Sequence, residues 1–339
     1  MQVIAWGTRG SIPIANIKSV EAGGNTTCYE VSSGCLPSGT HLMVDAGTGF
    51  VPAGCNYLNE LLSGNLLRYV LFFTHYHWDH ILGLTLAPPT FIEKVPMELY
   101  GPIDERFGPK EMVECLFRRP FFPVDARSVI QKMKFKPLDA YDVQVVLIHP
   151  KGGFATVSLD KYKTTLTGKR QFAFGGKKYP VEECLVVKMA KTHHGNANCV
   201  SYRFEENPTG KVFVLCTDHE DLVSLSADIR VHLAGADLAI MDAQYDQKRY
   251  MTKTGNYGHG TPYGAVKHAV VCGVKRLGIT HHDPGATDDC LKNVIRVEAV
   301  NALEKIRNDG QLLDTYEVKE IPLTLEDIFL CGDYMKMDV

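Results

Sequence analysis

The chain has 339 residues, of which 45% are hydrophobic and 22% charged, as expected for a globular protein with a sizeable core. The net charge of -3 at pH 7 excludes a strongly basic surface that would attract nucleic acid through its overall field. No apolar run approaches the length of a membrane span, and residues 1–7 lack the basic region of a signal peptide, so we expect neither.

The cysteines point to a reducing compartment. Ten of them are scattered along the chain without a Cys-x-x-Cys pair, and Cys184, Cys216 and Cys272 lie in apolar runs. We therefore expect buried, reduced thiols and a cytoplasmic protein.

The first part of the chain predicts short strands separated by glycine-rich turns. Strands are expected at residues 1–7, 28–31 and 41–44, and such spacing is typical of an antiparallel or mixed sheet. Residues 53–67 then have apolar side chains at helical spacing, and this helix is expected to end near Gly64.

A dense group of potential metal ligands follows the next strand. Residues 69–74 are apolar and predict a buried strand, and a helix-like pattern begins at residue 81. Between them lie His75, His77, Asp79 and His80. Side chains two residues apart on an extended backbone leave on the same side, and imidazole and carboxylate suit zinc, manganese or iron. A lone histidine here would be an ordinary polar residue, but four such side chains predict a metal site.

The pattern His-x-His-x-Asp-His after a hydrophobic strand resembles the signature of the metallo-β-lactamase-fold hydrolases. The resemblance implies an α/β fold, a four-layer αββα sandwich, with a two-metal site at one edge of the sheets. Earlier segments (Gly-Thr-Arg-Gly-Ser, Gly-Gly-Asn-Thr and Asp-Ala-Gly-Thr-Gly) are similar to the branch that contains cyclic-phosphate phosphodiesterases and tRNase Z-like nucleases. By this resemblance Asp45 braces the metal loop, and the alternative is a simple turn residue.

The middle of the chain resembles that family least. A strand is expected at residues 97–100 and a helix at 111–117, followed by an aromatic, proline-bounded loop at 118–124. Arg118 and Arg119 in this loop either face an anionic substrate or lie on a solvated surface. We interpret residues 101–190 as a divergent or inserted segment within a single domain that spans 1–339.

Two further strands are followed by candidate ligands. After the strand at 185–189, the resemblance implies a metal-binding histidine, for which His194 is preferred and His193 stays open. After the buried strand at 211–216 comes Asp218, which the resemblance places as a carboxylate shared by two metal ions; its alternative role is a helix N-cap. His219 and Glu220 are expected to support this site.

Further candidate site residues follow the last two predicted core strands. Asp242 ends a strand within 236–245, and His259 lies in the loop before a helix at 263–271. The resemblance implies that His259 faces substrate and is oriented by Asp242; the alternative is a loop histidine without a role. A strand at 274–280 precedes a His-His-Asp-Pro segment, in which His281 is preferred as a ligand over His282.

The end of the chain predicts structure without chemistry. A long amphipathic helix is expected at 291–306, and beyond residue 310 the tail is expected to alternate short strands and turns.

The resemblance implies a binuclear hydrolase. One ion would be held by His75, His77 and His194, the other by Asp79, His80 and His281, with Asp218 between them. Asp79, Asp242 and His259 are the predicted catalytic residues. The cofactors would be two divalent ions, zinc or manganese with iron as an alternative, and a water shared by them would lose a proton near neutral pH and attack the substrate.

We expect a phosphodiesterase acting on a cyclic nucleotide or another small phosphodiester, with no membrane partner and no nucleic-acid patch. A homodimer is left open. The alternatives are a lactonase or thioesterase-type ester hydrolase, which shares the scaffold, and a non-catalytic metal-binding module. A closed structural zinc site is not expected, because those are rich in cysteine.

Overall fold

The computed structural model describes residues 1–139, 144–220 and 225–339, and within them the strands form two large sheets and one hairpin. The strands are β1 (Gln2–Gly7), β2 (Cys28–Ser32), β3 (Thr40–Val44), β4 (Arg68–Phe72), β5 (Met97–Pro102), β6 (Met133–Leu138), β7 (Gln144–His149), β8 (Gly153–Ser158), β9 (Gln171–Phe174), β10 (Lys177–Pro180), β11 (Leu185–Lys191), β12 (Val200–Glu206), β13 (Lys211–Cys216), β14 (Leu238–Asp242), β15 (Leu277–Thr280), β16 (Ile328–Leu330) and β17 (Met335–Asp338).

The helices flank these sheets. They are α1 (Phe50–Asn56), α2 (Leu58–Leu62), α3 (Trp78–Ile81), α4 (Pro109–Leu116), α5 (Arg127–Ile130), α6 (Leu159–Leu166), α7 (Ala227–Leu233), α8 (Gln247–Arg249), α9 (Pro262–Val271), α10 (Asp288–Cys290), α11 (Arg296–Arg307) and α12 (Gly310–Thr315). Short 3₁₀ turns occupy Ile17–Ser19, Leu82–Thr85, Pro88–Thr90 and Val181–Glu183, and π-helical turns occupy Tyr250–Thr254 and Leu291–Ile295. No helix of the described residues is both long and apolar enough to cross a membrane.

The two sheets pack face to face. In the described residues the first has the order β17-β1-β2-β3-β4-β5-β6 and the second the order β16-β15-β14-β13-β12-β11-β7-β8. Alternate side chains of each strand, such as Val31 and Val70 of the first sheet and Phe204 and Ile240 of the second, fill the space between them.

Helices cover the two outer faces. Phe50 of α1 and Val113 of α4 pack on the outer face of the first sheet, and Val266 of α9 and Leu303 of α11 pack on that of the second. The layers therefore run helix, sheet, sheet, helix, which confirms the predicted αββα sandwich.

Most of the predicted elements are confirmed, with shifted ends. The single helix expected at 53–67 is wrong: α1 begins at Phe50, and Tyr57 separates it from α2. The break lets the Tyr57 hydroxyl donate to the buried Glu30 carboxylate (2.7 Å) while its ring stacks on His41 (3.7 Å between centroids). A tertiary hydrogen bond of this kind overrides a purely helical pattern.

The short strands expected beyond residue 310 are confirmed, whereas helix α12 at the start of this tail was not predicted. The two strands of the tail close the sheets, since β16 pairs parallel with β15 and β17 pairs antiparallel with β1. These pairings cover strand edges that would otherwise be open.

Residues 101–190 contribute to both sheets. Strand β6 pairs with β5 at the edge of the first sheet, β7 and β8 form the edge of the second, and β9 pairs with β10 in a separate hairpin. The interpretation of this segment as an insertion, and of the whole chain as one domain, stays a prediction.

The cysteines agree with the expectation of free thiols. All ten are unpaired, and Cys184, Cys216 and Cys272 are buried.

Candidate active site

Strand direction gathers the polar residues at one edge of the sandwich. Strands β13, β14 and β15 are parallel neighbours, so their carboxyl ends meet at the same edge. Asp218 follows β13, Asp242 ends β14 and His281 follows β15. Asp218 and His281 have φ values of 52° and 59°, and such left-handed backbone in non-glycine residues is costly and concentrates at functional sites.

One group of three histidines lies at this edge. The loop between β4 and α3 carries His75 and His77, and His194 lies beyond the end of β11. The His194 Nε2 atom is 3.1 Å from His77 Nδ1, and the His75 ring lies 4.4 Å and 4.9 Å from the rings of His77 and His194. Their nitrogen atoms are close enough together to hold one metal ion.

A second group lies beside the first. Asp79 and His80 are in α3, and their side chains meet His281. Asp79 Oδ2 is 3.1 Å from His281 Nε2 and 3.3 Å from His80 Nε2, and the two histidine Nε2 atoms are 3.4 Å apart. These three side chains could hold another ion.

Asp218 lies between the two groups. Its Oδ1 is 3.6 Å from His194 Nε2 and 3.3 Å from His281 Nε2, and its Oδ2 is 3.2 Å from His80 Nε2. The Thr217 hydroxyl donates to the same Oδ2 (2.7 Å). One carboxylate thus faces both groups.

Hydrogen bonds at Nδ1 of three site histidines leave their Nε2 atoms without a proton. Asp45 accepts from His80 Nδ1 (2.8 Å) and the Gly258 carbonyl accepts from His194 Nδ1 (2.7 Å). The Thr74 hydroxyl gives its one proton to Asp45, so in its contact with His75 Nδ1 (3.1 Å) the hydroxyl oxygen is the acceptor. In each neutral ring the Nε2 atom therefore carries the lone pair.

This donor set fits divalent cations. The buried Nε2 atom of His75 has no hydrogen-bond partner among the described residues. Facing lone pairs and an unpartnered buried nitrogen are unfavourable unless a cation lies between them. Imidazole and carboxylate donors without a thiolate suit zinc and manganese.

The raised pKa values of two site histidines also indicate that the site favours bound cations. Burial lowers the pKa of His80, but the carboxylates of Asp218, Asp79 and Asp45 outweigh burial and raise it well above its usual value. Burial likewise opposes the charge of His281, yet Asp218 and Asp79 raise its pKa to about 9. The carboxylates thus create a negative potential that favours bound positive charge.

Asp45 has the bracing position that the resemblance implied. It is fully buried, and besides His80 it accepts hydrogen bonds from the Thr74 amide (2.7 Å) and hydroxyl (2.8 Å). It therefore ties the histidine-bearing loop to the end of β3, and it sets the orientation of His80.

Asp45→Asn is expected to lower zinc affinity by about 10- to 100-fold, the range for partners of metal-binding histidines. The asparagine keeps the shape, but its amide group would face either the Thr74 amide or the His80 Nδ1 proton, and all of these are donors. Competition with a chelator measures the affinity. Asp125→Asn, at a partly exposed carboxylate that pairs with Arg127 outside the two groups, is the control. Equal affinities for the two variants would contradict the role of Asp45.

Backbone groups that a residue pattern does not reveal also shape the site. The Ser11 amide donates to Asp79 Oδ2 (2.7 Å), and Ser11 has a φ of 63°. A Cβ atom on Gly10 would lie 2.3 Å from the His281 ring, so only glycine fits there. The adjacent Gly-Ser pair after β1 was the available signal.

Glu220 supports the loop that carries His259. The buried Glu220 carboxylate accepts from the Tyr250 hydroxyl (2.6 Å), the Asn256 amide (2.6 Å) and the Gly258 amide (2.9 Å). Since Gly258 in turn accepts from His194, Glu220 links this loop to the first histidine group. His219 lies instead beside His268, with ring centroids 5.1 Å apart.

His259 lies over the second group. Its Nδ1 is 3.0 Å from Asp242 Oδ2, and its ring stacks on that of His281 (4.8 Å). It also lies 3.8 Å from Asp218, so its position is compatible with metal binding as well as with substrate contact.

His193 and His282, the neighbours of the two preferred histidines, lie outside the groups of candidate ligands. His193 is exposed, and its backbone amide donates to His219 Nδ1 (3.3 Å). His282 is buried away from the groups and donates from Nε2 to the Cys331 carbonyl (2.7 Å). The structure thus brings His194 and His281 into the site, and not their neighbours. Neither Arg118 nor Arg119 is among the residues that line the cavity beside His75 and His77.

Residues 40–282 match the model of the beta-lactamase superfamily domain, and the chain belongs to this family. The chain is 24% identical over 326 residues to the mouse protein named zinc phosphodiesterase ELAC protein 1, covering 81% of this chain and 86% of the mouse protein.

Solved structures share the fold. The short form of human tRNase Z superposes with a TM-score of 0.53 at 19% identity, covering 100% of this chain and 99% of the human chain. Yeast PDE1 superposes with a TM-score of 0.57 at 13% identity, with the same two coverages.

Proposed function

We propose that this protein is a metal-dependent hydrolase that cleaves phosphodiesters with two divalent cations. The observation that carries the proposal is the convergence of two three-residue groups around the single carboxylate of Asp218, with the His259–Asp242 pair beside them. The names of the mouse and human relatives, a zinc phosphodiesterase and a tRNase Z, support this activity.

In this proposal His75, His77 and His194 would hold one cation and Asp79, His80 and His281 the other, and Asp218, which faces both groups, would offer its carboxylate to them. Bound there, two cations supply a Lewis acid for the phosphoryl oxygens and make a water nucleophilic at neutral pH. Zinc is the first candidate because the mouse and bovine relatives are named zinc phosphodiesterases, and manganese and iron are the others.

His259 is the proposed proton donor. Its Nδ1–H donates to the Asp242 carboxylate, which fixes the ring, so Nε2 is the nitrogen that would carry a second proton to the leaving oxygen. Asp242 orients this ring without touching substrate. Asp79 is also a proposed catalytic residue, because its carboxylate, which accepts from the Ser11 amide, would hold the second cation.

We propose a small phosphodiester rather than a folded nucleic acid as the substrate. The cavity beside His75 and His77 is lined by two carboxylates, Asp104 and Glu105, and among the described residues no lysine or arginine lines it. A surface for a polyanion would need cations there. The ten unpaired thiols support a location in a reducing compartment such as the cytoplasm.

Metal analysis tests the core of the proposal. The purified protein, reloaded after chelation and dialysed, is expected to retain about two equivalents of zinc or manganese, because two complete donor groups flank Asp218. Elemental analysis measures the ratio. Retention that never exceeds one equivalent with any metal supplied would contradict a binuclear site.

A substrate panel separates the activities that share this scaffold. With metal bound, we expect turnover of cyclic nucleotides or bis(p-nitrophenyl) phosphate to exceed that of lactones and thioesters. A preference for the carboxyl esters would favour the lactonase or thioesterase alternative, and a loaded protein inactive on every substrate would favour a binding module.

A further inference from the structure

A cavity of about 430 Å³ opens beside the first histidine group. Its wall includes His75, whose buried Nε2 atom has no hydrogen-bond partner among the described residues, and His77. A cavity of this size belongs to the range that encloses small organic ligands. Whatever fills it therefore lies next to the proposed reaction centre.

Aromatic and apolar side chains form much of the wall. The Trp78 side chain is 63% exposed and the Phe107 side chain 49% exposed, while Ile81, Met112 and Leu116 contribute apolar surface. Exposed aromatic rings beside a reactive site are typical of ligand contact, and nucleic-acid bases stack readily on such rings.

The polar part of the wall contains two carboxylates, Asp104 and Glu105, beside Asn196. Asp104 and Phe107 exchange two backbone hydrogen bonds of 2.8 Å, which closes a tight turn, and Glu105 in this turn has a φ of 51°. The Asp104 carboxylate accepts from the side-chain amide of Asn198 (3.2 Å) and from its backbone amide (3.4 Å). Such contacts orient the carboxylate before any ligand arrives.

Ionised carboxylates can only accept hydrogen bonds, so Asp104 and Glu105 favour a ligand edge made of donors. Guanine has two adjacent N–H donors, at N1 and N2, which match one carboxylate in a two-point contact. Adenine places an acceptor beside its amino group, and uracil flanks its single N–H with two carbonyl groups. A simple ammonium group would leave most of the cavity unfilled.

We propose that this cavity binds the base of a guanine nucleotide, with the base between the aromatic side chains and its N–H edge on Asp104 and Glu105. The proposal rests on the proposed phosphodiesterase activity and names the substrate class for it. The phosphodiester would then lie toward His75 and His77, where the cavity meets the histidine group.

The test compares cyclic GMP and cyclic AMP as substrates of the zinc-loaded protein. The kcat/KM for cyclic GMP is expected to exceed that for cyclic AMP by roughly 5- to 150-fold, the discrimination of a good two-point base contact. Asp104→Asn is expected to abolish most of this ratio, because the new amide presents a donor to the base. Trp78→Ala is expected to lower kcat/KM for both nucleotides, because both bases lose a stacking partner.

Two variants at exposed residues outside the cavity lining serve as matched controls. Glu114→Gln changes a carboxylate on the outer side of α4 that pairs with Lys110, and Phe121→Ala removes an exposed ring outside the cavity. Both are expected to keep the wild-type ratio. A ratio near one in the wild type, or an unchanged ratio in Asp104→Asn, would overturn the proposal.

A second measurement separates this proposal from the proposed function. Turnover of bis(p-nitrophenyl) phosphate, which has no base, reports phosphodiester cleavage alone. Cleavage of this ester without any base preference would refute the guanine cavity and leave the phosphodiesterase standing. If no ester is cleaved, calorimetric dissociation constants of GMP and AMP decide the base preference, and equal constants overturn it.

Discussion

Replacing Asp218 with alanine is expected to lower phosphodiester turnover by roughly 10³-fold or more, the loss of several kcal/mol of transition-state stabilisation. Asp218 is the carboxylate that faces both groups, through His194 and His281 on one oxygen and His80 on the other. Without it, the two cations would lose a shared ligand and would repel each other. The measurements are kcat/KM for bis(p-nitrophenyl) phosphate and the metal content of the variant.

Two companion variants separate chemistry from folding. Asp218→Asn keeps the volume and loses the charge, and it is expected to be about as inactive as the alanine variant. His77→Ala is expected to lose one metal equivalent with little change in the free energy of unfolding, because His77 is exposed.

His193→Ala is the matched control for His77→Ala, since His193 is an exposed histidine outside the two groups. It is expected to keep both activity and metal. Should His77→Ala unfold as it loses metal, the ions would be structural; should it stay fully active, the assignment of the first group would be wrong.

Replacing His259 with alanine is expected to leave both metals bound and to lower turnover of ordinary phosphodiesters by about 10²- to 10⁴-fold, the usual contribution of general-acid catalysis. The Asp242 carboxylate fixes the ring through Nδ1, so the other nitrogen is the one that can protonate a leaving oxygen. The loss should shrink with p-nitrophenolate as leaving group, because this anion needs little protonation.

The dependence on leaving group distinguishes the possible roles of His259. Asp242→Asn should show the same dependence to a smaller extent, and Tyr257→Ala, which removes an exposed ring from the same loop, should behave as wild type. Loss of a metal equivalent in His259→Ala would make His259 a ligand, a role that its 3.8 Å distance from Asp218 permits. Unchanged turnover would leave it without a catalytic role.

The αββα fold was predicted through the resemblance of the His-x-His-x-Asp-His pattern to a known family, whereas one cluster of candidate ligands was predictable from local chain geometry. His75, His77, Asp79 and His80 lie within six residues, and a buried strand precedes them, so their proximity follows from chain geometry alone. The apolar runs before Asp218 and His281 predict buried strands just as clearly. The extent of the first helix was not predictable, because the break at Tyr57 depends on Glu30, a residue of a different strand.

The local sequence pattern could not show which of two adjacent histidines enters the site. His193 and His194 have the same chemistry, and what separates them is that His194 reaches the Gly258 carbonyl, 64 residues away, while His193 faces solvent. The same holds for His281 and His282, since His282 is directed to the Cys331 carbonyl instead.

By itself, the sequence determined which strands are buried, where they end and which chemically competent side chains follow them, because alternation and turn residues act over a few positions. Only the tertiary structure decided that Asp218, Asp242 and His281 meet, since the parallel pairing of β13, β14 and β15 brings their carboxyl ends to one edge. It also decided the contributions of the Ser11 amide and the Gly258 carbonyl. Every residue has such backbone groups, and only their position in the folded chain makes them part of the site.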